Sequence, residues 1–233
     1  MPITKEDLDK YLTELAKEFR RRNGKKTPAE IILIGGASVV INYGFREITY
    51  DMDAIIDASA SMKDAINAVG DRFGLPNGWL NDDFKNTVSY TPRIVQYSNL
   101  YRTFSNLVSV RTVSGEYLVA MKVMKGRQYK HDRSDIIGIL LEQDKAGNPL
   151  TIDSIKRAVC DLYDSYDVLT EEVRQFIENT IRNGDYEKLY DITRQQEKAN
   201  RDNLIEYQEN KPGVTNKDNV DDIIEALRKR KKQ

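Results

Sequence analysis

The chain has one cysteine and one histidine in 233 residues. Cys160 has no partner for an intrachain disulfide, and Cys160 with His131 cannot supply the thiolates and imidazoles of a zinc cluster. A Ser-His-Asp hydrolase would have to rest on His131, and no serine lies in a nucleophile-elbow motif. Cys160 falls on an apolar helical stripe and reads as a core residue, whereas His131 reads as a helix-start or surface residue. Long hydrophobic runs are missing as well. No apolar stretch approaches the ~20 residues that span a bilayer, and the opening Met1-Pro2-Ile3-Thr4-Lys5-Glu6-Asp7 lacks the apolar centre of a signal peptide, so a cytoplasmic protein without a membrane partner is expected. An excess of either charge is also absent: 36 Lys and Arg against 37 Asp and Glu leave a net charge of −1, which argues against a general coat for nucleic acid.

Hydrophobic residues at 39% and charged residues at 31% fit a globular chain, long enough for one large domain or two small ones. Leu8, Leu12, Leu15 and Phe19 predict a helix over 5–22 that runs into Arg20-Arg21-Arg22, with Lys25-Lys26 beyond. Cations at that end complement the helix dipole, which is cause enough for them. A buried strand follows at Ile31 to Ile34, then a helix from Ala37 to Tyr43 and a strand from Thr49 to Ile56. Next comes a helix capped by Ser59 or Ser61, with the face Met62, Ala65, Ile66, Val69 and Phe73. Residues 79–102 show no clear period. Their Tyr90, Tyr97 and Tyr101, interleaved with Arg93 and Arg102, fit a base-stacking surface or, more simply, a tyrosine-rich strand pair at a sheet edge. A strand over Ser105 to Val113 and helices over 116–125 and 132–143 complete this part.

After Ala146-Gly147-Asn148-Pro149 the pattern is helical throughout. Thr151 and Thr170 are N-cap candidates, the polar run from Thr193 to Asn210 either docks lightly or meets a partner, and Val220, Ile223, Ile224 and Leu227 form a last amphipathic turn set ending in Arg228 to Lys232. The expected fold is an α/β (α+β) core with a small mixed sheet flanked by helices over residues 1–145, followed by an all-helical part over 146–233.

Two short motifs carry the chemistry. Gly35-Gly36 closes the apolar run and opens the next helix, a junction where backbone N–H groups face an anion and side chains would obstruct it. Asp51-Met52-Asp53 on one strand would set two carboxylates on a shared face, with Cα atoms ~6–7 Å apart and Met52 turned into the core. Such carboxylates repel unless a cation lies between them. Hard oxygen ligands suit Mg²⁺ or Mn²⁺, which bind through one or two carboxylates plus substrate phosphates, so the expected ligand is a metal-bound nucleoside triphosphate.

The order strand, Gly35-Gly36, helix, Tyr43-Gly44-Phe45-Arg46, then Asp51 and Asp53 resembles the polymerase-beta-like nucleotidyltransferase superfamily. Within it the chain is similar to the bacterial minimal nucleotidyltransferase-like proteins that include the AbiEii-type toxins. Tyr117-Leu118-Val119-Ala120-Met121-Lys122, Gly126-Arg127 and His131-Asp132-Arg133-Ser134-Asp135-Ile136 extend the likeness, which covers approximately residues 28–142. The resemblance implies that Asp51 and Asp53 hold the metal, and that Gly35, Gly36 and Ser38 steady phosphates together with Arg46. It implies that Lys122, supported by Arg127, contacts the triphosphate or the attacking group. Asp132 or Asp135 would orient Lys122 or take a proton.

The implied reaction moves a nucleoside monophosphate from a triphosphate to an acceptor hydroxyl. The acceptor would be a tRNA 3′ end, a protein side chain or a small molecule such as an aminoglycoside, in a toxin paired with a separately encoded antitoxin or in phage defence. One departure stands out: many superfamily members carry a third metal-binding carboxylate on a later strand, and Ser105 to Val113 contains no acid. Either two aspartates suffice, or Asp132 or Asp135 takes that part. The same departure supports the alternative, a catalytically weak nucleotide-binding or protein-interaction component of the same fold.

Overall fold

The computed structural model describes residues 2–24, 27–125, 130–216 and 219–231. In chain order, β1 (Ile3–Thr4) leads into α1 (Lys5–Asn23), β2 (Ala29–Leu33) into α2 (Gly35–Asn42), and β3 (Ile48–Thr49) and β4 (Met52–Asp57) into α3 (Ser61–Phe73). The strand β5 (Leu80–Asn81) precedes two short 3-10 segments, Asp83–Asn86 and Pro92–Tyr97, and the hairpin β6 (Ser98–Phe104) and β7 (Val108–Val113). Helices α4 (Gly115–Lys125), α5 (Asp132–Lys145), α6 (Ile152–Tyr163), α7 (Glu171–Asn183), α8 (Tyr186–Asn210) and α9 (Val220–Lys231) follow. This is the mixed α/β architecture with C-terminal helices that the hydrophobic pattern predicts. Among the described residues no helix is long and apolar enough to cross a membrane.

The five-stranded sheet runs in the order β5-β4-β2-β7-β6, while β1 and β3 form a separate two-stranded ribbon. Its centre is β2, antiparallel to β4 and parallel to β7. Burial on both faces explains the unbroken run: Ile31, Ile32, Leu33 and Ile34 are all at most 1% exposed. The chain packs as two compact units, residues 1–121 with 153–168, and 122–152 with 169–233, so the division falls inside α4, and α6 groups with the sheet. In the second unit Leu204 of α8 packs with Val220 and Ile224 of α9.

Several local expectations are corrected. The strand expected over Thr49 to Ile56 is broken: β3 ends at Thr49, β4 begins at Met52, and Asp51 stands in the break. The strand expected from Ser105 begins at Val108, because Ser105 and Asn106 adopt φ of 51° and 52° and form the turn that returns the chain from β6. Ser59 and Ser61 do not cap α3; both hydroxyls bond Asn23 Oδ1, at 2.9 and 3.2 Å, and the N-cap is Ala60. Thr170 does cap α7, accepting the Val173 N–H. Cys160 is half-buried beside the stripe Ile155, Ala158, Val159 and Leu162 rather than within it.

The basic end of α1 is internally committed. Glu18, 3% exposed, accepts from Arg21 at 2.6 and 3.1 Å and from Arg22 at 2.7 Å, while Arg72 of α3 reaches its other oxygen at 3.4 Å. The Arg21 bonds, with Arg22 second, outweigh burial and hold the Glu18 carboxyl down at about 2, against an ordinary 4.5. A carboxyl depressed in the folded state stabilises fully above its unfolded value, and that contribution is lost as pH falls from 4.5 toward 2. Glu18→Gln is therefore expected to lower neutral-pH stability by about 1–2 kcal/mol, given the exposed arginine stems. Melting curves of both proteins should converge as the pH falls through that window; a constant gap would contradict the assignment.

Candidate functional site

The C-terminal edge of β2 brings the two motifs together. Gly35 takes φ +56°, the left-handed region that favours glycine, and a Cβ built there would stand 3.8 Å from Asp53 Oδ2. At Gly36 a Cβ would stand 2.6 Å from Thr49 Oγ1 and 2.8 Å from an Arg46 guanidinium nitrogen, closer than real side chains come. The helix start is thus bare by necessity: a carboxylate lies beside its first residue and a guanidinium on its second. Arg46 Nε donates to the Ile48 carbonyl at 3.0 Å, which turns the guanidinium back over the helix. The N-cap residue of α2 is Ile34, and no side chain caps the helix. Uncapped N–H groups beside a guanidinium form an anion-favouring end, since both present positive charge to the same space.

Asp53 is fixed by the sheet. Its carbonyl accepts the Ile34 N–H at 2.9 Å, and it pairs with Asn81 of β5. The alternation holds around it, with Met52 and Ala54 fully buried and Asp53 half-buried. Met52 is anchored in turn by its N–H to the Trp79 carbonyl at 3.0 Å, and Trp79 Nε1 donates to the Ile66 carbonyl of α3 at 3.0 Å. Asp51 is exposed, and its carbonyl accepts the Thr49 hydroxyl at 3.0 Å. Ser38 does not join the group: it is fully buried, and its Oγ accepts the Val113 N–H at 3.1 Å, tying α2 to β7.

Among the described residues no group of three or more His, Cys, Asp or Glu side chains could hold a metal ion by itself. Of the two aspartates, Asp53 lies beside the glycine cradle and Asp51 is exposed; carboxylates are the donor type that a hard cation completed by phosphate oxygens takes. On β7, Arg111 is the charged residue near this part of the sheet; its guanidinium bonds the Ser98 hydroxyl and carbonyl.

Lys122, Asp132 and Asp135 form a cluster in the second unit. Lys122 is 5% exposed and donates to Asp135 at 2.7 Å and Asp132 at 3.3 Å, both acids being buried. Lys122 is therefore a buried, ion-paired lysine, and Asp132 is the first residue of α5, whose N-cap is His131. The first turn of α5 carries both acids and is itself held by Glu197 of α8. Glu197 is 3% exposed and accepts the Ser134 N–H at 3.0 Å and hydroxyl at 2.6 Å, with Arg194 of the same helix against His131. The polar helix α8 thus docks through buried polar bonds. Arg127 lies outside the described residues, as do Lys25, Lys26 and Lys232.

The tyrosine and arginine group of residues 90–102 is structurally engaged. Tyr97 stacks on Tyr117 at 3.9 Å, Tyr90 packs edge-on to Phe84, Arg93 pairs with Asp164 at 2.6 Å, and Tyr101 donates to Asp9 at 2.8 Å. Burial and then Asp9 push the Tyr101 hydroxyl up to about 12; burial and then Asp161 raise that of Tyr117. The sheet-edge packing reading is the one these contacts favour. Thr49 and Glu197 are the residues that sequence reasoning missed. A threonine two positions before Asp51 is a weak signal for a local side-chain bond, and a glutamate in a polar helix gives no sign of burial.

A family model described as "Nucleotidyltransferase of unknown function (DUF6036)" matches residues 10–188. No curated protein and no solved structure matches the chain.

Proposed function

Because the chain belongs to the nucleotidyltransferase family DUF6036, we propose that it moves a nucleoside monophosphate from a nucleoside triphosphate to an acceptor hydroxyl, with Mg²⁺ or Mn²⁺ as cofactor. The observation that carries this reading is the meeting of Asp53 and Arg46 at the bare Gly35-Gly36 helix start. Arg46 and the uncapped N–H groups of α2 bind the phosphate oxygens, and the absence of a side chain at Gly36 lets them approach the backbone. Asp51 and Asp53 would hold the divalent ion, which supplies charge neutralisation at the phosphates and lowers the pKa of the incoming hydroxyl. The acceptor oxygen forms a bond to the α-phosphorus as the bond to pyrophosphate breaks, and the hydroxyl proton passes to water on the exposed Asp51 side. The chain's own contribution is position and fixed charge, which is where phosphoryl-type transfer draws its rate. Lys122, Asp132 and Asp135 enter this reading as a buried charge cluster.

The likeness to AbiEii-type proteins supports a tRNA 3′ end or a protein side chain as acceptor, in a cytoplasmic toxin restrained by an antitoxin. The lack of a third carboxylate among the described residues favours a second reading, a nucleotide-binding component with weak or no transfer. Calorimetric titration of the protein with each of the four nucleoside triphosphates, in non-hydrolysable form with Mg²⁺, tests what both readings share. Binding in the micromolar to millimolar range of enzyme substrates is expected for at least one, and is expected to vanish with a chelator. Binding that survives the chelator, or none at all, would overturn the site. Transfer of label to RNA or protein then separates the two readings.

A further inference from the structure

The two aspartates are anchored differently. Asp53 belongs to the ladder through Ile34 and Asn81, whereas Asp51 lies between β3 and β4, outside either strand. Its backbone oxygen accepts from the Thr49 hydroxyl at 3.0 Å. Thr49 is itself constrained: it is fully buried, it pairs with Ile3 across the β1–β3 ribbon, and a β-branched residue in extended backbone has few χ1 choices. Its Oγ1 also fills the space that a Cβ at Gly36 would need, at 2.6 Å. One buried hydroxyl therefore touches both the backbone of Asp51 and the start of α2.

We infer that Thr49 is a positioning residue of this site: its hydroxyl fixes the Asp51 turn against the Gly36 helix start and so sets the distance between the carboxylate pair and the phosphate cradle. This rests on the nucleotidyl-transfer reading for its functional consequence, though its structural half stands without any ligand. A hydroxyl has one proton to donate, and here the Asp51 carbonyl takes it. Valine keeps the branched shape and removes that donor. Asp51 would then keep its place in the sequence and lose its place in the site, while Asp53, held by the sheet, would not move.

Two measurements on wild type, Thr49→Val and Thr49→Ser test this. The first is hydrogen exchange of the metal-free proteins over residues 50–52. The second is Mn²⁺ binding by electron paramagnetic resonance in the presence of the nucleotide analogue chosen by the titration. In Thr49→Val, exchange is expected to quicken several-fold and Mn²⁺ affinity to fall about tenfold or more, the scale seen when a group that orients a metal ligand is lost. The melting temperature is expected to stay within a few degrees, and Thr49→Ser to restore both readouts. Unchanged exchange and affinity in the valine variant would overturn the inference. So would equal losses in the serine variant, which would assign the effect to the methyl group. Faster exchange in Thr49→Val with no Mn²⁺ binding by wild type would sustain the hold on Asp51 and overturn the nucleotidyl-transfer reading instead.

Discussion

Exchange of Lys122 for methionine is expected to lower stability by about 3–5 kcal/mol, the cost of breaking a buried ion pair by removing one partner. Methionine matches the lysine stem in length and removes only the ammonium, so packing loss is small. The ammonium is what Asp135 and Asp132 receive at 2.7 and 3.3 Å, and all three side chains are at most 7% exposed. Without it, two like charges would remain close together out of water. Thermal melting checks the size: for a chain of this length about 2–4 °C is lost per kcal/mol, so a fall of roughly 10 °C is expected. The combination Lys122→Met, Asp132→Asn, Asp135→Asn is expected to recover most of it, because the remaining groups carry no charge to desolvate. A single variant as stable as wild type, or a triple variant no better than the single, would mean that the cluster is not a charge-balanced unit. The placement also bears on function. With two of its three N–H donors given to buried carboxylates and the residue 5% exposed, Lys122 has at most one donor left for a phosphate.

The sheet and most helices were legible because each rests on a period that tertiary structure does not override. Ile31 to Ile34 is apolar at every position, which only a strand covered on both faces requires, and Met62, Ala65, Ile66 and Val69 repeat at helical spacing. The hairpin β6–β7 was half legible, since the tyrosines and arginines of β6 mask its alternation while Asn106, a residue that tolerates the left-handed region, marks the turn. The break at Tyr50 and Asp51 was not legible. By alternation Thr49, Asp51 and Asp53 share one face of a continuous strand; the break follows from pairing Thr49 with Ile3, distant in the chain. Lys122 fails for the same reason. Its partners lie 10 and 13 positions later on another helix, and nothing local distinguishes a lysine that is buried from one that is solvated. In the candidate site, the types and spacing of Gly35, Gly36, Arg46 and Asp53 were readable, but Ser38 was not separable from them, because a serine at a helix start faces the anion or the core according to the neighbouring strand.

Asp53→Asn is expected to reduce transfer at least a hundredfold while leaving the fold intact, and this contrast is the sharpest available for the site. The amide has the shape of the carboxylate and can occupy the same place beside Gly35, and the backbone bond from Ile34 and the pairing of β4 with β5 do not involve the side chain. What is lost is one negative charge from a pair whose other member, Asp51, is exposed. Charge stabilisation by a bound divalent ion amounts to several kcal/mol, and 1.36 kcal/mol is a factor of ten, so loss of half the ion's anionic ligands accounts for about two or more powers of ten. Asp51→Asn is expected to cost less, because Asp51 is exposed and water can take the place of its lost charge on the ion, whereas Asp53 stands in the sheet beside the glycine cradle. Both variants are expected to melt within a few degrees of the wild-type temperature, since neither substitution touches the backbone bonds that hold β4 in the sheet. The measurement is transfer of labelled nucleoside monophosphate to tRNA or protein, beside a melting curve for each protein. Full transfer by Asp53→Asn would remove the carboxylate pair from the mechanism. A loss that follows a collapsed melting temperature would make Asp53 a fold residue instead, and the helix start with Arg46 would then have to bind its anion without a metal beside it.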